Sequence, residues 1–229
     1  MELVLDKLLD LGYIRSSLPL REHLVVNCVP GAGKTTFIRK LLTEEGNFAA
    51  FTTGKPDPAN VHGNWIRKWE GKLDSSKINI LDEYQNLTSI PEGFHILFGD
   101  PVQSCNPLVL PPHLTCTETK RFGKQTCELL NSLGFQISSS LEDIVEIEDI
   151  YTGEPEGQVI CCEREVANLL TAHNLDFLQI QDIIGATFEV VTFITSNSFP
   201  SSEKADHFRC LTRHSKRLKI LCLNAEYLN

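Results

Sequence analysis

The sequence predicts an α/β architecture of parallel strands covered by helices, and three observations carry that prediction. Short, continuous apolar runs recur along the chain, the form expected of strands buried on both faces. Segments with helical apolar spacing separate them, as at 36–45 and at 126–133, the latter stopped by Gly134. A glycine-rich turn, Val29-Pro30-Gly31-Ala32-Gly33-Lys34-Thr35-Thr36, sits where one apolar run gives way to one helical segment.

Taken in order, the first element is an amphipathic helix over 1–10, where charges interleave with leucines. It lacks the basic start and small-residue cleavage site of a signal peptide, so a cytoplasmic protein is expected. Strands are predicted at 23–29, 77–81, 94–98, 158–162, 188–194 and 218–223, and helices at 36–45, 126–133 and 165–170. The stretch 138–157 is acidic and bounded by Ser138-Ser139-Ser140 and Gly153-Glu154-Pro155-Glu156-Gly157, which places a linker or domain boundary near it. Two domains, 1–136 and 137–229, are therefore expected. The segment 195–206, with Asn197 and Pro200, reads as an exposed loop.

Composition narrows the function classes. Hydrophobic residues make up 41% of 229 residues and the mean hydropathy is −0.11, enough for a packed core, and no apolar stretch approaches the roughly 20 residues of a membrane span. A net charge of −9 argues against a protein that coats nucleic acid generally. Basic residues nevertheless gather between His207 and Lys219, at Arg209, Arg213, Lys216 and Arg217, with His214 among them. Both a solvated charged face and a phosphate-contacting one fit that run. Cysteines at 28, 105, 116, 127, 161, 162, 210 and 222 form no C-x-x-C pair, so buried reduced thiols are expected rather than a zinc knuckle or a disulfide framework. Trp65 and Trp69, flanked by Arg67, Lys68 and Lys72, read as a core pair, with a stacking patch for single strands as the alternative.

The chemistry sits on three strand ends. In the strand–turn–helix at 23–42, Gly31, Ala32 and Gly33 let backbone N–H groups turn toward phosphate oxygens, together with Thr36. Lys34 reaches the β and γ phosphates, and the Thr35 hydroxyl suits Mg²⁺, so ATP is the expected ligand. The run Ile78-Asn79-Ile80-Leu81 ends in Asp82-Glu83-Tyr84-Gln85, with Asp82 read as the metal residue and Glu83 as the general base. A third run, 94–98, ends in Gly99-Asp100-Pro101-Val102-Gln103; Gln103 could sense the γ phosphate and Asp100 could position water or metal.

Those three segments resemble motifs I, II and III of superfamily 1 helicases of the viral RNA type, in order and spacing. Lys120-Arg121-Phe122-Gly123 is similar to motif IV, Gly185-Ala186-Thr187-Phe188-Glu189-Val190-Val191-Thr192 to motif V, Cys210-Leu211-Thr212-Arg213-His214 to motif VI, and Ala50-Phe51-Thr52-Thr53-Gly54-Lys55 to motif Ia. With its opening Leu8-Leu9-Asp10-Leu11-Gly12-Tyr13, its segment Asn64-Trp65-Ile66-Arg67-Lys68-Trp69 and motif VI near the C-terminus, almost the whole chain resembles the triple gene block protein 1 family, movement helicases of filamentous plant viruses, in its carlavirus branch. The resemblance implies a P-loop NTPase fold of two RecA-like parallel-sheet domains, a minimal helicase core with ATP and Mg²⁺ as cofactors. It implies Arg213 as an arginine finger on the γ phosphate, Arg121 as a second positive group, and Thr52, Thr53, Lys55 and Thr187 as RNA contacts. It further implies an RNA-stimulated ATPase that moves viral RNA from cell to cell through plasmodesmata and suppresses RNA silencing. The implied partners are single-stranded viral RNA, other viral movement proteins, coat protein, host silencing factors and further copies of the chain, in host cytoplasm, plasmodesmata and host nucleus. An RNA- and partner-binding protein with weak, regulatory ATPase activity is the alternative. Cys28 stands where motif I has its first glycine, and Ile184 where motif V has glutamine.

Overall fold

Continuous apolar strands need cover on both faces, and the chain supplies it in two compact units, Met1–Thr117 and Glu118–Asn229. The computed structural model describes residues 1–103, 108–199 and 203–227. Cys105 and Pro200, both singled out in the sequence, lie outside the described residues. Among those described, no helix is long and apolar enough to cross a membrane.

The first unit opens with α1 (Glu2–Asp10), which buries Val4, Leu5 and Leu8 as its leucine spacing predicts. Its sheet contains β1 (Ile14–Arg15), β2 (Leu24–Cys28), β3 (Phe48–Thr52), β4 (Arg67–Lys68), β5 (Ile78–Asp82), β6 (Ile96–Gly99) and β7 (Leu114–Cys116). The spatial order is β1-β7-β2-β6-β5-β3-β4, and only the β1–β7 pairing is antiparallel. The helix α2 (Lys34–Glu44) carries the chain from β2 to β3, as a parallel crossover requires. β3 was not among the predicted strands, because Phe48-Ala49-Ala50-Phe51-Thr52 is too alanine-rich to announce one; all five residues are buried, and packing overrides propensity. Val25, Ala49, Phe51, Leu81, Tyr84, Phe94 and Leu97 form one core cluster. Trp69 packs on it edge-on, 5.8 Å from the Phe51 ring and 4.9 Å from that of Phe94, which settles its reading as core. Trp65 instead lies half-buried under the Arg67 guanidinium, 5.2 Å from its ring centre.

In the second unit β8 (Ile144–Asp149), β9 (Gln158–Ile160), β10 (Phe188–Ile194) and β11 (His214–Cys222) form an all-parallel sheet in the order β8-β11-β10-β9. α3 (Lys124–Ser132), α4 (Arg164–Ala172) and α5 (Lys204–Leu211) accompany it. Val166, Ala167 and Leu170 of α4 pack with Val159, Cys161, Ile194 and Leu221.

Three expectations change here. The division falls at 117/118 rather than at 136/137, so the Lys120–Gly123 segment belongs to the second unit. Thr119 donates its N–H to the Ser138 carbonyl at 2.9 Å and so ties this segment to the chain beyond α3. The acidic stretch, near which a linker or domain boundary was expected, contains β8, an edge strand whose Glu148 pairs with Lys219 of β11 at 3.2 Å; charge on an edge blunts pairing with other chains. Finally, part of the segment read as a loop before the basic run is α5.

Asp143 fixes the start of the second unit. Its Oδ1 accepts the N–H groups of Gln125 at 2.9 Å and Thr126 at 3.4 Å, capping α3 from outside the helix. Its Oδ2 accepts the Thr126 hydroxyl at 2.6 Å and lies 3.2 Å from His214 Nε2. Burial pushes this carboxyl up, but the hydrogen bonds from His214 and Thr126 outweigh it and hold the group at about 2. A depressed carboxyl stabilises the fold above its unfolded value of about 4 and loses that contribution as pH falls to about 2. Asp143→Asn is thus expected to cost about 2 kcal/mol at neutral pH. Chemical denaturation of both proteins from pH 6 to pH 2 checks this: the gap should close below pH 4, and a constant gap would assign the loss to packing.

Candidate nucleotide-binding site

Parallel strands present their carboxyl ends at one edge of the sheet, and the sheet order decides which loops meet there. β6 lies between β2 and β5, with Asn27 opposite Gly99 and Asp82 opposite Phe98, so the three motif-bearing loops are neighbours. Gly33 has φ 93° and caps α2 from the left-handed region, a conformation that side-chain-bearing residues rarely adopt. No side chain caps α2, so the N–H groups of its first turn are available to an anion. Gly31 and Thr35 are half-buried, Thr36 is exposed, and Ala32 and Lys34 are buried. Cys28 occupies core space instead of the turn: it is buried, and burial pushes its thiol up to about 12.

Lys34 Nζ lies 3.1 Å from Glu83 Oε1. Burial alone would lower the proton affinity of this ammonium, but Glu83, with Asp82 and Asp100, outweighs it and raises the value above the ordinary one. Burial, then repulsion from Glu83, pushes the Asp82 carboxyl up to about 7, and burial pushes Asp100 up to about 6. One lysine therefore stands among three carboxylates. Glu83 itself has φ 60°, a left-handed backbone at a non-glycine residue, which stores strain at this position. Its carbonyl accepts the Thr53 hydroxyl at 2.6 Å, and its N–H donates to Asp82 Oδ1 at 3.1 Å.

Gln85 and Tyr84 connect the loops, a role the sequence reading passed over although both residues stood in the quoted motif. Gln85 Nε2 donates to Glu83, while its Oε1 accepts the Asp100 N–H at 3.1 Å. The buried Tyr84 hydroxyl donates to Asn27 Oδ1 at 2.9 Å, joining the β5 loop to β2. Gln103 donates to Asp100 Oδ2 at 2.6 Å. Gly99 makes this crossing possible, because a Cβ there would stand 2.5 Å from Tyr84 Cε1 and 2.7 Å from Gln85 Oε1. Gly99→Ala is expected to lower stability by about 1–3 kcal/mol through overpacking and to reduce nucleotide affinity with it. Melting with and without nucleotide measures both, and an unchanged melting curve would show that Tyr84 and Gln85 yield freely.

Motif residues of the second unit meet through its own sheet. Phe188 donates its N–H to the Arg213 carbonyl at 2.8 Å, where β10 and β11 begin, and Arg121 Nη1 donates to the Thr212 carbonyl at 3.2 Å. Arg213 is buried, with Nε donating to the Arg209 carbonyl at 3.0 Å. Thr187 and Ile184 are exposed. In the first unit Lys55 is exposed, whereas Thr52 is buried with its hydroxyl accepting the Gly54 N–H at 3.0 Å, and the Thr53 hydroxyl is spent on Glu83. The basic run between 207 and 219 is dispersed and paired with acids. Lys216 lies 2.6 Å from Glu189, Arg217 lies 3.2 Å from Glu156, Lys219 lies 2.8 Å from Glu156, and Arg209 lies 2.9 Å from Asp206. His207 and His214 are buried.

Comparison with known proteins shows the family. The family described as the viral superfamily 1 RNA helicase core domain matches residues 24–222. The movement and silencing protein TGBp1 of Chrysanthemum virus B is 40% identical over 228 residues, 99% of each chain. That of Poplar mosaic virus (isolate ATCC Pv275) is 42% identical over 230 residues, again 99% of each. Among solved structures, the PRRSV helicase superposes with a TM-score of 0.62 at 18% identity, over 86% of this chain and 52% of that one. The Arterivirus nonstructural protein 10 helicase gives 0.54 at 21% identity, over 96% of this chain and 56% of that one. The chain thus spans about half the length of these helicases. With a helicase-core match over most of its length and relatives aligned end to end, the chain belongs to the viral superfamily 1 RNA helicase core family and, within it, to the TGBp1 movement and silencing proteins.

Proposed function

We propose that this chain is an RNA-stimulated ATPase that remodels viral RNA, moves it between host cells through plasmodesmata and suppresses RNA silencing. The observation that carries the enzymatic part is the Lys34–Glu83 contact of 3.1 Å, at the edge where the ends of β2, β5 and β6 meet. Phosphate oxygens compete with Glu83 for the Lys34 ammonium. As a nucleotide draws Lys34 away, Glu83 is left with Gln85 as its partner and becomes the base that orients and deprotonates the attacking water. Gln103, aimed by Asp100, contacts the γ phosphate, and the backbone N–H groups of 31–36 hold the β phosphate. Arg213 and Arg121 supply positive charge to the transferred phosphoryl group.

The oxygen donors of Thr35 and Asp82 suit Mg²⁺, and Asp82, buried and crowded by Glu83, is a carboxylate whose ionised form calls for a cation. Held by Thr35 and Asp82, Mg²⁺ would offset the negative charge of the nucleotide phosphates. The relatives' names, movement and silencing protein, support transport and silencing suppression. Other viral movement proteins, coat protein, host silencing factors and further copies of the chain are the proposed partners. An Arterivirus helicase solved in complex with DNA supports nucleic-acid binding, here to single-stranded RNA through Lys55, Thr187 and the 52–55 turn. The acid-paired basic run favours a second reading, in which ATP turnover is weak and regulatory and RNA and protein contacts do the work.

Asp82→Asn and Glu83→Gln separate the assigned roles. Asp82→Asn is expected to weaken Mg²⁺-dependent nucleotide binding, whereas Glu83→Gln should keep nucleotide bound and slow single-turnover cleavage by roughly 10²- to 10⁴-fold. Turnover of the parental chain with and without single-stranded RNA tests the function itself. RNA-independent, barely measurable hydrolysis would select the regulatory reading.

A further inference from the structure

A second cluster of chemically capable side chains lies wholly within the second unit. β9 ends at Ile160, and the chain runs through Cys161-Cys162-Glu163 into α4. α5 presents His207 and Cys210, one helical turn apart and both buried. The Cys162 thiol, a Glu163 carboxylate oxygen and a His207 ring nitrogen lie within 4.8 Å of one another. The buried Cys210 thiol neighbours that of Cys162 but stands outside this group of three.

The supports of these groups are those of a ligand set. His207 has its Nδ1 2.8 Å from the Tyr227 hydroxyl, which orients the ring and leaves Nε2 facing inward. Nε2 lies 3.3 Å from Glu163 Oε1 yet has no hydrogen-bond partner among the described residues, although the side chain is completely buried. Such an atom is costly without a proton acceptor or a metal. Glu163 is held in turn by the Thr195 hydroxyl, by the Ser196 N–H at 2.7 Å and by the Ser196 hydroxyl at 2.9 Å. Outer hydrogen bonds of this kind, on the second nitrogen of a histidine and on a carboxylate, aim metal ligands.

We infer that Cys162, Glu163 and His207 form a zinc site, with the Cys210 thiol beside Cys162 turning inward as the fourth ligand when metal binds. Sulfur, imidazole nitrogen and carboxylate oxygen together are the donor set of four-coordinate Zn²⁺. As each Zn–S bond forms, the thiol releases its proton to solvent, and His207 Nε2 binds as the neutral imidazole. Burial makes the site closed and structural rather than catalytic. It ties the end of β9 to α5, the helix that leads into Thr212 and Arg213. The absence of C-x-x-C hid it in the sequence, because the ligand types are mixed and the two pairs are more than 40 residues apart.

Metal uptake by the full chain, chelator-stripped and kept reduced, tests the site. One Zn²⁺ per chain is expected, with a higher Tm on its addition. Co²⁺ should give a thiolate-to-metal charge-transfer band and tetrahedral d–d bands, which an oxygen-only site cannot produce. Cys162→Ser and His207→Gln should lower Zn²⁺ affinity by at least roughly 100-fold, while Cys28→Ser and Cys222→Ser keep it. Should the ligand variants fail to fold, alkylation mapping of the parental chain still decides: Cys162, half-buried where the other described cysteines are buried, should be protected by Zn²⁺. A parental chain with no thiolate band, with Cys162 alkylated equally with and without Zn²⁺, or with a Cys162–Cys210 disulfide in place of metal uptake overturns the inference.

Discussion

Lys34→Ala is expected to reduce ATP hydrolysis by at least roughly 10²- to 10³-fold, the loss typical of removing a preorganised group that stabilises developing charge. The ammonium is the cation that stands among Glu83, Asp82 and Asp100, and its loss leaves three neighbouring carboxylates to repel one another. Asp82 and Asp100, already pushed up to about 7 and about 6, answer by taking protons rather than by unfolding the loop. Fold loss should therefore be smaller than the 3–5 kcal/mol of a fully buried broken pair, because Glu83 keeps 29% side-chain exposure. Far-UV circular dichroism checks the fold and single-turnover hydrolysis checks the chemistry. Parental turnover in a folded Lys34→Ala protein would place the activity elsewhere.

Arg213→Ala should lower hydrolysis by roughly 10³-fold or more while nucleotide binding persists, if this guanidinium stabilises the transferred phosphoryl group. Stimulation by RNA should vanish with it. Because Arg213 is buried and donates to the Arg209 carbonyl, the substitution also removes packing where α5 turns into β11. Arg213→Lys separates the two effects: it retains a cation and most of the aliphatic stem but loses the planar fork. Melting temperatures near the parental value together with lost hydrolysis in both variants support the finger. Full RNA-stimulated activity in Arg213→Ala would return Arg213 to a structural role and favour the regulatory reading of the nucleotide site.

Much of the candidate site was legible as pattern because phosphate chemistry constrains consecutive residues. Gly31 to Thr36, Asp82-Glu83 and Asp100 to Gln103 are local patterns, each following a predicted strand, and the structure places all three at strand ends in one sheet. Gln85 was legible as a residue but not as a link, since its two partners lie on different loops and only β5–β6 pairing brings them together. Thr52, an RNA contact implied by the resemblance, is buried at the end of β3 with β4 and β5 on either side, a placement that only the sheet order reveals.

By itself the sequence determined the α/β class, α1, most of the parallel strands, the phosphate-binding turn and the family resemblance, all of which rest on periodicity or on contiguous residues. Only the tertiary structure decided the division at 117/118, the strand identity of 144–149 and the fate of the basic run. The physical reason is that charge in sequence does not state its partner. Lys216, Arg217 and Lys219 look like a phosphate-binding stripe until β10, β11 and the 153–157 turn set Glu189 and Glu156 against them, and an acidic linker and an acidic edge strand differ only in what pairs alongside. The same holds for Cys162 and His207, 45 positions apart, which parallel packing of β9 and β10 and the placement of α5 bring within bonding reach of one ion.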